Sequence, residues 1–88
     1  MQRVDEFILQ DVGGEAILVP IGQKVVDLNG LIALNATGLF LWEQLAQPRE
    51  VGELADLLCG EFEVEPAVAR NDVLAFTQRL REIGAVIE

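Results

Sequence analysis

The chain has 88 residues, 51% of them apolar, and its 15 acidic and 6 basic residues give a formal net charge of -9. This length predicts one domain spanning residues 1–88 with a thin core, because domains this small bury only about 60–65% of the surface of the unfolded chain. The acidic charge repels nucleic acid and anionic lipid, so we expect neither as a partner. The sequence shows no signal peptide and no apolar run of about 18 residues, which predicts a cytoplasmic protein.

The first part of the chain predicts a β-hairpin. Residues 7–12 are rich in strand-forming types, and Gly13-Gly14 is a two-residue connection of the kind that tight hairpins prefer. Residues 15–20 then return antiparallel. Because Pro20 has no N–H to donate to a ladder, it must end this strand or lie on an edge.

A third strand is predicted before the helical part of the chain. Residues 22–30 are interpreted as two turns that flank an irregular extended piece, the second of them at Asn29-Gly30. Residues 30–34 are apolar at nearly every position. This pattern predicts a strand that is covered on both faces, or one whose apolar face is left unfilled.

The rest of the chain predicts three helices. The first covers about residues 36–46 and begins at Asn35, whose side-chain oxygen can accept a hydrogen bond from a free N–H of the first turn. The second follows a short loop and is predicted to end at Gly60. The third begins at Pro66 and ends at Gly84. Its apolar residues recur at separations of four and three and form one stripe: Ala69, Val73, Phe76, Leu80 and Ile83.

These elements predict an α+β, winged-helix-like fold, in which a three-stranded antiparallel sheet is followed by a three-helix bundle. A last extended piece at residues 85–87 is predicted to lie against the sheet. A winged helix raises DNA binding, which requires a basic face on the recognition helix. The arginines of the last helix are interspersed with Asp72 and Glu82, whose charges offset the attraction to phosphate, so DNA binding is disfavoured.

The residue types that carry catalysis and metal binding are scarce. The chain has no histidine, no tyrosine and one lysine, and its single cysteine, Cys59, has no imidazole to activate it and is interpreted as a small buried apolar residue. The alternating Glu61, Glu63 and Glu65 are interpreted as a solvated surface, and Trp42 as a core aromatic. We therefore expect no enzymatic activity, no metal and no cofactor.

An ordered set of residues spans the strand–helix junction and the later helices: Leu34-Asn35-x-Thr37-Gly38-x-x-x-Trp42, then Leu54, Leu57 and Leu58, then Leu80-x-x-Ile83-Gly84. This set resembles the PqqD family, the pyrroloquinoline quinone (PQQ) biosynthesis protein D-like domains that are also described as RiPP recognition elements. The resemblance extends from about Phe7 to Ile87. It implies a non-catalytic peptide chaperone that binds the leader of a ribosomally made precursor peptide and presents it to a modifying enzyme, often a radical SAM protein.

The resemblance also implies where the leader binds, as an added strand beside the third strand and against the third helix. The matching residues of this chain are Gly30, Leu31, Ile32, Ala33, Leu34, Val73, Phe76, Thr77 and Leu80. We further hypothesise that Arg70 and Arg81 steer acidic leader residues at the rim of the groove. Strand addition suits an apolar strand with an open edge, because main-chain hydrogen bonds supply affinity and pockets for alternate side chains supply selectivity.

Three alternatives stay open at this point. A structural or regulatory subunit of a larger enzyme would bury the edge at residues 30–34 permanently under its partner. A winged-helix DNA-binding protein is disfavoured by the charge. The open edge can also pair with a second copy of the chain, which predicts a homodimer as readily as a peptide complex.

Overall fold

The computed structural model describes residues 1–21 and 32–87. The turns predicted within residues 22–30, and the first two residues of the predicted third strand, Gly30 and Leu31, lie outside the described residues. The strands are β1 (Gln2–Arg3), β2 (Phe7–Val12), β3 (Glu15–Pro20), β4 (Ile32–Leu34) and β5 (Val86–Ile87). The helices are α1 (Ala36–Gln44), α2 (Val51–Glu61) and α3 (Pro66–Glu82).

The predicted three-stranded antiparallel sheet is confirmed, with the order β2-β3-β4. Gly13 and Gly14 connect the first two strands with φ angles of 63° and 87°. Both angles lie in the left-handed region that a type I′ hairpin turn requires and that glycine adopts without a steric penalty. The register pairs Val12 with Glu15 and Phe7 with Pro20, so Pro20 ends its strand as predicted.

The two termini of the described chain form a second, two-stranded sheet that the sequence did not predict. β1 pairs antiparallel with β5, which places Arg3 opposite Val86. The Arg3 N–H also donates to the Leu45 carbonyl at 2.9 Å, just beyond the end of α1. The prediction that residues 85–87 lie against the main sheet is therefore wrong, because their partner is β1. Strands of two residues carry no readable hydrophobic period.

The predicted ends of the helices are mostly confirmed. The Asn35 side-chain oxygen accepts a hydrogen bond from the Gly38 N–H at 2.9 Å and caps α1. At the end of α3, Gly84 has a φ of 73°, its N–H donates to the Arg81 carbonyl, and the next N–H donates to the Leu80 carbonyl. These two bonds form a Schellman motif.

The predicted end of α2 at Gly60 is wrong, because the helix continues to Glu61 and its C-cap residue is Phe62. Gly60 is absent from the glycines with positive φ, so it sits in ordinary helical conformation and does not end the helix. A glycine ends a helix when it takes the left-handed conformation one position beyond the cap. α1 also ends at Gln44, short of the predicted Ala46.

The core lies between the inner face of the three-stranded sheet and the three helices. The strands contribute Phe7, Leu18, Ile32 and Leu34, and the helices and their ends contribute Leu41, Trp42, Leu45, Leu54, Ala55, Leu58, Ala69, Val73 and Leu80. Trp42 is a core aromatic, as predicted, and the Arg3 guanidinium carbon lies 5.5 Å from the centroid of its ring. Cys59, which was predicted to be a buried apolar residue, packs against this core but is only partly buried.

Candidate functional site

β4 is an edge strand within the part of the chain that the structure describes. It pairs only with β3, through Ile32 with Leu18, Ala33 with Ile17 and Leu34 with Ala16. In an antiparallel pair, successive residues alternate between directing their N–H and C=O groups towards the partner strand and away from it. The outer edge of β4 therefore offers main-chain donors and acceptors to an additional strand.

A cleft of about 430 Å³ lies along this edge, between β4 and α3. Its lining consists of Ile32, Ala33, Leu34, Asn35, Gly38, Phe76 and Arg79. The lining is mainly apolar, with Asn35 and Arg79 as its polar members. Its volume falls in the range of about 300–1,000 Å³ that is usual for sites that bind small ligands, which is room for a few side chains of an extended peptide.

Gly38 determines how closely α1 approaches α3 at one end of the cleft. A Cβ atom at this position would lie 3.4 Å from Cε1 of Phe76 and 3.2 Å from Oδ1 of Asn35. Both distances are at the short limit of ordinary carbon and oxygen contacts. The absent side chain thus lets the Phe76 ring lie against the first turn of α1 while Asn35 keeps its capping bond.

The structure brings together four of the predicted site residues and places three others in the interior. Ile32, Ala33, Leu34 and Phe76 line the cleft. The three in the interior belong to α3 and are 0% exposed: Val73, Thr77 and Leu80. The Thr77 hydroxyl donates to the Val73 carbonyl at 2.8 Å, which satisfies it inside the helix. These three side chains hold α3 against the core and do not face the open cleft.

The arginine that lines the cleft is Arg79, and sequence reasoning did not include it. At about 100° per residue, Arg70 lies roughly 180° around the helix from Arg79, and Arg81 lies roughly 160° from it. Arg70 and Arg81, the two arginines hypothesised to rim the groove, therefore occupy the opposite flank of α3, and neither lines the cleft. The spacing in the sequence could have identified Arg79, because it follows Phe76 by three positions and therefore lies on the same side of the helix.

A larger depression of about 570 Å³ adjoins the cleft around the end of β4. It shares Ala33, Leu34 and Asn35 with the cleft and continues past Leu39 to the hairpin residue Gly14. The lining of the depression includes no residue of α3, so the cleft between β4 and α3 remains the candidate site. Together, the two hollows give an extended path along one end of the sheet.

Two other kinds of feature are absent from the described residues. Among residues 1–21 and 32–87, no group of three or more His, Cys, Asp or Glu side chains is placed to hold a metal ion. None of the helices in these ranges is both long enough and apolar enough to cross a bilayer. Among the described residues, Glu53 has a clearly shifted pKa: hydrogen bonds from Arg49 and from the Glu50 backbone N–H lower it, and Glu53 does not line the cleft.

The fold and the cleft define the class of this protein, a small α+β domain whose sheet edge is open beside a helix. Domains that bind extended peptides by strand addition use such an edge. The chain belongs to the PqqD family, because the model of the family described as Coenzyme PQQ synthesis protein D (PqqD) matches residues 6–86. This match confirms the resemblance found in the sequence. No curated protein matches the chain.

Two solved structures share the fold. The first, described as TbiB1 in complex with the TbiA(beta) leader peptide, is 20% identical with a TM-score of 0.73, over 97% of this chain and 93% of that one. The second, described as lasso peptide synthetase B1 complexed with the leader peptide, is 22% identical with a TM-score of 0.74, over 99% of this chain and 96% of that one. At these identities the likeness shows the fold, and it confirms the arrangement of three strands followed by three helices.

Proposed function

We propose that this chain is a non-catalytic, cytoplasmic peptide chaperone of one domain. It binds the leader of a ribosomally made precursor peptide as a strand added to β4, and it presents that peptide to a modifying enzyme such as a radical SAM protein. The observation that carries the proposal is the open edge of β4 beside an apolar cleft. Membership of the PqqD family supports it, as do the leader peptides named in both structures of the same fold.

The size of the edge indicates how such a peptide would be held. Within the described residues β4 has three members, and an added strand can form only a few main-chain hydrogen bonds with these three, each contributing about 0.5–1.5 kcal/mol net. A dissociation constant of 1 µM requires about -8 kcal/mol, and the peptide also loses conformational freedom. Burying one side chain of valine or leucine size contributes about 1.5–3 kcal/mol. The apolar side chains that enter the cleft must therefore supply the larger share of the affinity.

An NMR titration tests this function. The ligands are synthetic leader segments encoded by short precursor genes beside the gene for this chain. We expect saturable shifts of the amide signals of β4, Phe76 and Arg79, with a micromolar or tighter dissociation constant. None of the residues of α2 lines the cleft, so the amides of that helix serve as the internal control.

Two results would contradict the proposal. One is the absence of binding to any of these leaders together with a stable complex with a neighbouring enzyme, which would favour a structural subunit. The other is a concentration-dependent homodimer that shifts the same amide signals without a peptide, which would mean that a second copy occupies the edge of β4.

A further inference from the structure

We propose that Arg79 is a specificity-determining residue, which selects peptides that carry an aspartate or glutamate next to the apolar side chains that fill the cleft. This inference rests on the proposed function and deepens it, because it names the chemical class of the peptide. It concerns one side chain at the cleft and makes no use of Arg70 or Arg81.

The first observation is that the Arg79 guanidinium is unpaired within residues 1–21 and 32–87. Arg49 forms a salt bridge with Glu53 at 3.0 Å, and Arg3 donates to the Trp42 carbonyl at 3.2 Å. Arg79 has no comparable hydrogen bond or ion pair in the described ranges, and it is exposed on the side of α3 that carries Phe76. Its donors are therefore available to a ligand.

The second observation is the charge around the cleft. The chain carries a net charge of -9, yet Arg79 is the only charged residue in the described lining of the cleft. Two acidic residues lie on this side of α3. Asp72 is two turns before Arg79, at about 10 Å along the helix axis, and Glu82 is one turn after it, where its carboxylate accepts a hydrogen bond from the Gln78 amide at 3.4 Å. The distance to Asp72 exceeds the Debye length of about 8 Å at physiological ionic strength, so Asp72 offsets the field of Arg79 only weakly. Glu82 is near enough to reduce that field, but within the described residues it forms no salt bridge with Arg79, whose guanidinium donors stay open to a ligand.

The first turn of α1 borders the same cleft and reinforces this positive field. It contains no acidic residue, and two of its members, Asn35 at the cap and Gly38, line the cleft. The positive end of the helix dipole is thus not neutralised by a side chain of its own turn. A carboxylate beside Arg79 would gain from both sources.

Arg79 also discriminates against the wrong peptides. A guanidinium can hold a carboxylate through two parallel hydrogen bonds, which fixes the position of the acidic side chain along the cleft. A lysine or arginine at the same peptide position would meet a like charge and remain unpaired. The apolar lining accepts many sequences of suitable size, so the charge at Arg79 is the feature that sets the register and narrows the choice.

The expected effect is moderate because Arg79 is exposed before the peptide binds. We expect replacement of the acidic peptide residue by its amide to weaken binding about five- to tenfold, a change that corresponds to roughly 1–1.4 kcal/mol. The ratio between the affinities of the wild type and of Arg79→Gln should fall as salt rises, since a surface ion pair is screened.

Selection from a random peptide library tests the inference without knowledge of the natural leader. A displayed library of extended peptides of about 12 residues, enough for one strand and its flanks, is selected on three proteins. These are the wild type, Arg79→Gln and the matched control Arg70→Gln, which makes the same change at an exposed site on the opposite flank of α3. Amide spectra of the wild type and the two variants check that all three proteins are folded.

We expect peptides selected on the wild type and on Arg70→Gln to carry an acidic residue at a fixed distance from apolar residues. Peptides selected on Arg79→Gln should keep the apolar residues and lose the acidic preference. A selected peptide and its amide counterpart then complete a double-mutant cycle with Arg79→Gln. Rescue by Arg79→Lys, which restores the charge without the planar fork, should be partial.

The outcomes separate the two proposals. If no peptide is enriched on any of the three proteins, the proposed function fails and this inference fails with it. If apolar peptides are enriched without an acidic residue, or if the acidic preference survives in Arg79→Gln, the proposed function stands and the role of Arg79 is refuted. Equal loss of the preference in Arg70→Gln would also refute it, because a general charge effect would then explain the selection.

Discussion

The spacing between α1 and α3 depends on one glycine, and a single added methyl group tests it. In Gly38→Ala, the new Cβ would lie 3.2 Å from the Asn35 oxygen and 3.4 Å from the Phe76 ring. Asn35 Oδ1 accepts bonds from the Gly38 N–H and the Thr37 hydroxyl, at 2.9 and 3.0 Å, so it cannot retreat without weakening the cap. The half-buried Phe76 ring borders the open cleft and is the neighbour with room to move.

The magnitude follows from two opposing effects. Alanine in place of glycine stabilises the interior of a helix by about 0.5–1 kcal/mol. Overpacking costs about 1–3 kcal/mol, and these contacts are only slightly short, so the lower end applies. Gly52 lies in the first turn of α2 with no atom within 4 Å of its Cβ position, which makes Gly52→Ala the matched control. We expect Gly52→Ala to be more stable than Gly38→Ala by about 1–2 kcal/mol.

Thermal unfolding and peptide titration measure the two consequences. A difference of 1 kcal/mol shifts the melting temperature of a domain of this size by about 4–8 °C, which is readily resolved. The Phe76 ring, displaced towards the cleft, should also weaken peptide binding several-fold in Gly38→Ala, while Gly52→Ala leaves it unchanged. If Gly38→Ala gains as much stability as Gly52→Ala and binds peptide normally, the close packing of α1 against α3 does not shape the cleft.

Three further changes have expected outcomes. Proline at Ile32 or Ala33 should abolish peptide binding at some cost in stability, because one of these two neighbouring N–H groups faces the open edge of β4. The control Cys59→Ser should leave the peptide affinity nearly unchanged. If titration gives normal affinity for both proline variants, the peptide binds elsewhere. Asn35→Ala should lower the free energy of unfolding in urea by about 1 kcal/mol, because it removes the cap of α1, and an unchanged unfolding midpoint would contradict that role. The pKa of Glu53 is lowered in the folded state, so the ionised Glu53 side chain stabilises the fold at pH values above its ordinary pKa of 4.5, and this stabilisation is lost as the pH falls through the lowered pKa. The stability difference between the wild type and Glu53→Gln should therefore shrink in acid. A difference that does not change with pH would show that the hydrogen bond from Arg49 does not contribute to stability.

Local signals in the sequence were sufficient for the helix ends that depend on one residue. Asn35 and Gly84 act through bonds to backbone groups within four or five residues, so their roles can be read without knowledge of the fold. Gly60 shows the limit of this reasoning, because a glycine stops a helix only if the following residues favour leaving it. The pairing of β1 with β5 joins the two ends of the chain and has no local signal at all.

The site was harder to predict than the fold because the hydrophobic stripe of a helix identifies only the side that faces the core. The stripe of α3 led to Val73 and Leu80, which are fully buried. The stripe does not tell which of the two flanks of α3 borders β4. Arg79 lies on the flank that does, and Arg70 lies on the other. In the structure the Phe76 ring lies against Gly38, and the flank of α3 that carries Phe76 and Arg79 is the one that borders β4.

The short edge strand and the acidic charge together explain why an open edge can persist in this protein. The three described residues of β4 offer few main-chain bonds to another copy, and short edges are one of the means by which proteins avoid pairing with each other. Two copies would also bring together two net charges of -9, a repulsion that a peptide with a few charges does not meet. The same shortness leaves too little main-chain affinity to hold a peptide alone, so the side chains in the cleft must supply the rest. If the chain binds a leader as we propose, selectivity follows from the weak edge, because we expect only peptides that fit the cleft and pair with Arg79 to bind well.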